Sequence, residues 1–353
     1  MKNDGSVWAA GTNTCGQLGV HITKFLVMTA FVEVFTGGAK AVAAGDGHSM
    51  VLKQNGSLWS TGVNMYGQLG DGSNTDRDSF VQVIPEHVQA VAAGAQHSLA
   101  VMQNGSVWAT GLNAYSQLGD GSTTDSNTFL EVIPGGAVAV AAGSRHSMVL
   151  TQDGSVWVAG GNKHDELGDA SAHANSSQIA DESQESKSSF VQVIAHEGTA
   201  IAAGRGHRMV LMKDGSVWVT GDNKYGQLGD GSEEPKSIFT EAIPSEGKAI
   251  AAGYYHSMVL KQDGSVWVTG RNKFGQLGTG SDAKTFRNTF VQVISSGTQV
   301  SAGAWHSMVA KEDGSLWATG ANNYGQLGDG STIDKDEYVE VTLSYDGLCL
   351  TVA

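Results

Sequence analysis

Six histidines recur in one local setting, Ala-Gly-x-x-His, at His48, His97, His146, His207, His256 and His306. Imidazole is both a common metal ligand and a general base near neutral pH, so a set of six invites either chemistry. Zinc ligation requires nitrogens to converge within about 2.1 Å of one ion. Histidines on equivalent positions of successive units stand a unit's width apart, which favours a structural role, each tying neighbouring strands by a hydrogen bond. Acidic runs at Asp71-Gly-Ser-Asn-Thr-Asp76, Asp120-Gly-Ser-Thr-Thr-Asp125 and Asp329-Gly-Ser-Thr-Ile-Asp334 hint at calcium loops. They lack the glycine and terminal glutamate spacing of helix-loop-helix sites, and side chains capping their own turns explain them more simply. No nucleophile elbow, lysine-bearing phosphate loop or Cys/His metal spacing occurs, so neither catalysis nor a cofactor or metal site is expected.

The remaining candidates are the two residues between Gly and His in each unit. These are Asp46/Gly47, Ala95/Gln96, Ser144/Arg145, Arg205/Gly206, Tyr254/Tyr255 and Ala304/Trp305, with Arg208 replacing the serine that follows the histidine elsewhere. Arg, Tyr and Trp dominate binding hot spots. Asp46, Arg145, Arg205, Arg208, Tyr254, Tyr255 and Trp305 are therefore the expected partner-binding residues.

These positions hang on a repeat. The phrase [Asp/Asn]-Gly-Ser-[Val/Leu]-Trp occurs seven times, ending at Trp8, Trp59, Trp108, Trp157, Trp218, Trp267 and Trp317, with steps of 51, 49, 49, 61, 49 and 50 residues. Such a period marks a repeat architecture. Within a unit, Phe80–Ile84 alternates, Ala90–Gly94 is small and apolar, and Ser98–Met102 and Ser106–Thr110 flank Asn104-Gly105. Asn-Gly or Asp-Gly between apolar runs is a strong hairpin signal, because the turn needs positive φ. Four short antiparallel strands repeated seven times predict an all-β, seven-bladed β-propeller forming a single domain over 1–353. Gly347–Val352 aligns with Gly47–Leu52 and Met1–Ser6 with Leu52–Ser57, so the ring is expected to close by pairing of the N- and C-terminal segments, although the small inner strand has no counterpart at that seam. The 61-residue step contains a polar insertion, 169–189, expected to be a loop. Asn55-Gly-Ser57 and Asn104-Gly-Ser106 match glycosylation acceptors but fall in tight hairpins.

Gly-Gln-Leu-Gly at Gly16–Gly19, Gly67–Gly70, Gly226–Gly229, Gly275–Gly278 and Gly325–Gly328, together with Ala-Gly-x-x-His-Ser, resembles the regulator of chromosome condensation repeat family over nearly the whole chain. The resemblance implies a seven-bladed propeller and places the residues beside each histidine near the loops of one propeller face. Relatives of that kind include a nucleotide exchange factor for a small nuclear GTPase, a plant UV-B photoreceptor and secreted bacterial inhibitors of β-lactamases, so the fold alone does not choose a function. The photoreceptor-like repeats carry tryptophan two residues before the histidine. Here that slot holds Asp46, Ala95, Ser144, Arg205, Tyr254 and Ala304, which argues against a light-sensing tryptophan cluster.

The net charge of −14, from 35 acidic and 21 basic residues, disfavours direct nucleic-acid binding, which needs clustered Lys and Arg. Two cysteines, Cys15 and Cys349, are too few for a disulfide framework. The most apolar stretch, Phe25–Val34, is shorter than the ~20 residues of a membrane helix, and no secretory leader is read at the N-terminus. The expectation is a monomeric, cytoplasmic or nuclear protein-protein interaction module, non-enzymatic and without membrane contact, that binds a protein partner through one propeller face. Guanine nucleotide exchange on a small GTPase and secreted inhibition of a bacterial enzyme are the alternatives.

Overall fold

A computed structural model describes residues 1–21, 26–162, 167–168, 186–280 and 286–341. Each [Asp/Asn]-Gly-Ser-Val-Trp phrase is a hairpin, and its local chemistry explains every residue in it. The glycine takes positive φ in all seven copies, for example +76° at Gly5 and +82° at Gly264. The acidic or amide side chain accepts from the serine N–H, as in Ser216 N to Asp214 Oδ1 at 2.8 Å. The serine hydroxyl then accepts from the indole, as in Trp218 Nε1 to Ser216 Oγ at 3.0 Å. The seven tryptophans are half-buried, and lysine ammonium groups cover four of them, the closest being Lys311 at 3.5 Å from the Trp317 ring centre.

The hairpins join strands into four-stranded antiparallel sheets. In the first, β3 (Ala39–Ala44), β4 (His48–Lys53), β5 (Leu58–Gly62) and β6 (Arg77–Ile84) pair in sequence order. Preceding them, β1 (Val7–Thr12) and β2 (Val27–Phe35) form a two-stranded sheet. Five more sheets of the same design follow, at 88–133, 137–194, 198–243, 247–294 and 297–341, and we number the six blades in chain order. The middle strands are buried on both faces, as in Met258, Val259 and Leu260 of blade 5, and the leucine of each Gly-Gln-Leu-Gly loop fills the gap to the next blade, as Leu228 packs with blade 4 and Val259 of blade 5.

The protein is thus an all-β propeller with four-stranded antiparallel blades. The repeat predicts seven such blades; the described residues contain six, with the β1–β2 sheet standing between blade 6 and blade 1. Gly328 of the blade 6 loop lies against Phe31 of β2, so closely that an added β-carbon would come within 2.3 Å of the ring, and Gly19 meets Phe80 of blade 1 in the same way. The strands that would complete a seventh blade are not among the described residues: the sequence has no counterpart of the inner strand at the seam, and the expected closing segment, Gly347–Val352, lies outside the described residues. Of the 169–189 insertion, 169–185 also lies outside them, whereas Lys187–Ser189 already belong to the outer strand of blade 3, with Lys187 paired to Gly160. No helix among the described residues is long and apolar enough to cross a membrane.

Around the ring's opening, the glycine of each Gly-x-x-His turn abuts its neighbour. A β-carbon on Gly45, Gly94, Gly143, Gly204 or Gly253 would fall 2.3–2.6 Å from the carbonyl oxygen of the corresponding glycine in the next blade. This backbone contact holds the variable pairs at fixed positions around the opening.

Candidate functional site

The histidines follow those glycines and are buried. His48 Nε2 lies 2.8 Å from Ser98 Oγ of the next blade, and Ser98 Oγ donates to Gln68 O at 2.7 Å. Because the serine proton is already committed, the imidazole must donate through Nε2. The same relay joins His97, Ser147 and Gln117, His207, Ser257 and Gln227, and His256, Ser307 and Gln276. Nδ1 of His48, His97, His207 and His256 has no hydrogen-bond partner, so a second proton would be buried with no acceptor. Burial accordingly pushes these groups far down, His48 and His207 to about 4 and His97 and His256 to about 3. These four histidines tie blade to blade.

The acidic loops are equally structural. Asp71 accepts from Ser73 N and Asn64 Nδ2 and pairs with Arg77, while Asp230 and Asp329 pair with Lys236 and Lys335 at 3.1 and 3.3 Å. Among the described residues no group of three or more His, Cys, Asp or Glu side chains could hold a metal ion.

One predicted site residue is misplaced. Arg208 is completely buried in the second strand of blade 4, between Ala203 and Thr220 of its neighbours. It occupies the serine slot that elsewhere accepts the preceding blade's histidine, which points inward, and its charge helps to hold His146 far below the usual imidazole range after burial, the larger cause. It cannot touch a partner at the face. Arg145 is half-buried, its guanidinium 4.2 Å from the Tyr115 ring centre.

The other five converge. Trp305 packs against Tyr254 and Tyr255 with ring centres 5.5 and 5.4 Å apart. Tyr255 Oη accepts from Arg205 Nη1. Tyr254 Oη reaches across the opening to donate to Asp46 Oδ2. Asp46 is exposed to water but ringed by protein, and that partial desolvation raises its carboxyl above the usual range, opposed by the Tyr254 hydroxyl and the Arg205 charge. Burial, followed by the Asp46 charge, pushes the Tyr254 hydroxyl far upward, so it stays a donor.

Three members of the cluster escaped the sequence reading. Tyr225 meets Tyr255 at 5.2 Å, and Phe274 meets Trp305 at 5.4 Å. Arg271 lies 4.6, 5.0 and 5.7 Å from the ring centres of Tyr225, Trp305 and Tyr255. A signal for them exists, because the residue before Gly-Gln-Leu-Gly is aromatic at Tyr66, Tyr225, Phe274 and Tyr324. The glutamine of that motif fixes the slot, Gln227 Oε1 accepting from Tyr225 N at 2.9 Å and Gln276 Oε1 from Phe274 N at 3.0 Å. Each aromatic pair is worth about 0.5–1.5 kcal/mol beyond burial, and each guanidinium stack about 0.5–2 kcal/mol. A patch knitted this way is already ordered, so a partner meets it without a large entropic penalty.

The propeller thus carries a pre-ordered Tyr/Trp/Arg surface at one end of its opening. The RCC1-like domain family model matches residues 6–350, and the chain belongs to that family. A 77-residue stretch is 36% identical to the RCC2 homolog of Danio rerio, covering 22% of this chain and 16% of that protein. The fold matches Prp20p of Saccharomyces cerevisiae, described with its binding to Gsp1p and histones, at a TM-score of 0.83 and 22% identity over 96% of this chain and 86% of that one. Human WBSCR16 matches at 0.85 and 20% identity, over 98% and 96%.

Proposed function

We propose that this protein binds a protein partner through the propeller face that carries Asp46, Arg205, Tyr254, Tyr255 and Trp305, with Arg145 at its margin. What supports it is that these side chains, drawn from four blades, form one connected surface rather than isolated exposures. The module acts as a monomer and as one domain, with a seventh blade completed on the β1–β2 sheet by the C-terminal segment. Replacing both Tyr255 and Trp305 by alanine removes the central rings, and truncating hot-spot residues typically costs 2 kcal/mol or more, about thirtyfold. Partner recovery in a pull-down is expected to fall at least tenfold in the double variant. Unchanged recovery overturns the assignment.

A small GTPase is a specific candidate partner, favoured by the fold shared with Prp20p. Under this reading the protein accelerates release of labelled GDP from at least one member of a small-GTPase panel. Release rates unaltered across the panel would remove exchange activity while leaving the binding face intact.

A further inference from the structure

We infer that the interaction face recognises an acidic side chain, an Asp or Glu of a partner peptide, held by Arg271 and Arg205. This rests on the partner-binding assignment above and names the chemistry of that same surface. Arg271 is half-buried among Tyr225, Tyr255 and Trp305, its guanidinium 4.6, 5.7 and 5.0 Å from their ring centres, within cation–π distance. Arg205 lies 5.7 and 5.4 Å from the ring centres of Tyr254 and Tyr255, and spends one N–H on the Tyr255 hydroxyl. Neither guanidinium has a carboxylate within ion-pair distance among the described residues, in contrast to Arg77, Lys236 and Lys335, each of which is paired. Cation–π contact with a ring does not use the N–H donors of a guanidinium, whose planar fork matches two carboxylate oxygens.

In a chain of net charge −14, two arginines without an ion-pair contact among the described residues converge on one aromatic surface, against the single carboxylate of Asp46, which feels the Arg205 charge. The opposite wall limits what fits. Asp46 repels a second carboxylate, so a single acidic residue flanked by apolar side chains, which can cover Trp305 and Phe274, matches better than a polyacidic run.

The test uses displayed random dodecapeptides, selected in parallel on the wild-type protein and on the Trp305→Ala variant. Peptides enriched on the wild type are expected to share one Asp or Glu beside apolar residues. Changing that residue to Asn or Gln, or changing Arg271→Gln, is expected to weaken each synthetic peptide at least tenfold, with Arg271→Lys intermediate because the charge survives without the planar fork. Peptides that need Tyr255 and Trp305 but lack an acidic residue, or ignore Arg271→Gln, overturn carboxylate recognition and leave the protein-binding face standing. Peptides indifferent to all these variants, or no enrichment over the Trp305→Ala selection, overturn both. Native circular dichroism of Arg271→Gln separates lost binding from lost fold, and Arg205→Gln supplies an independent second variant.

Discussion

Acidification from pH 6.5 towards 4 is expected to unfold this propeller, beginning above about pH 5, where loss of carboxylate interactions ordinarily starts. His48, His97, His207, His256 and His306 are held at about 4, 3, 4, 3 and 4, with burial the leading cause, and His146 is held well below its ordinary value. In the unfolded chain each would titrate near 6.5. The folded state therefore binds fewer protons between the two values. Stability is fully present above pH 6.5 and is lost as pH falls through the window towards 4. Each histidine contributes a slope of about 1.4 kcal/mol per pH unit there. Over two pH units five of them remove on the order of 10 kcal/mol, comparable with the whole stability of a folded domain. Tryptophan fluorescence and circular dichroism against pH will show the transition. A fold that persists unchanged to pH 4 would mean that the imidazoles are not held neutral. His256→Gln keeps an N–H donor towards Ser307 but cannot titrate, and should flatten the slope by about one proton.

The second large effect concerns the glycine ring. Gly253→Ala would place a β-carbon 2.4 Å from Gly303 O and 2.2 Å from the His256 ring. The nearer neighbour is the imidazole of the inter-blade relay, and the other is backbone of the next blade, so neither can yield without separating blades 5 and 6. Overpacking of this kind costs about 1–3 kcal/mol where side chains can move, and more is expected where backbone must. Gly135→Ala is the matched control, since its nearest neighbour would be Asn104 O at 3.6 Å, an ordinary contact. Calorimetry should show the Gly253→Ala melting temperature several degrees below wild type, or an insoluble protein, with Gly135→Ala close to wild type. Equal melting temperatures for both would show that the blades are not in contact through these turns.

The two effects share an origin in residues whose meaning differs in how visible it is along the chain. Strand type, hairpin position and blade size follow from local rules. Asp-Gly-Ser-Val-Trp contains its own turn, its own cap and its own indole acceptor within five residues, so its structure is readable without any neighbour. The histidine role was also legible, because equivalent positions on separate units exclude a shared metal ion.

Arg208 was not legible. Its type suggested a surface contact, but the serine slot it fills is aimed at the preceding blade, and that direction is set by packing between units. Arg271, Tyr225 and Phe274 went unseen for the converse reason. Tyr225 and Phe274 lie away from the Gly-x-x-His turns in sequence and reach Tyr255 and Trp305 because the loop of one blade overlies the inner turn of the next, whereas Arg271 ends the third strand of blade 5 and meets Tyr255 across the sheet, its N–H donating to the Tyr255 carbonyl at 2.8 Å. The blade count depended on the same kind of contact, since the β1–β2 sheet takes its place in the ring through Phe31 and Phe80.

By itself, then, the sequence determined the repeat, the four-stranded blade and the slots free to vary, because short-range hydrogen bonds and alternation act within a few residues. Only the tertiary structure decided which varying residues share a surface. The circular arrangement brings side chains some 50 to 200 positions apart, such as Asp46 and Tyr254, within reach of one hydrogen bond, and periodicity along the chain carries no record of that geometry.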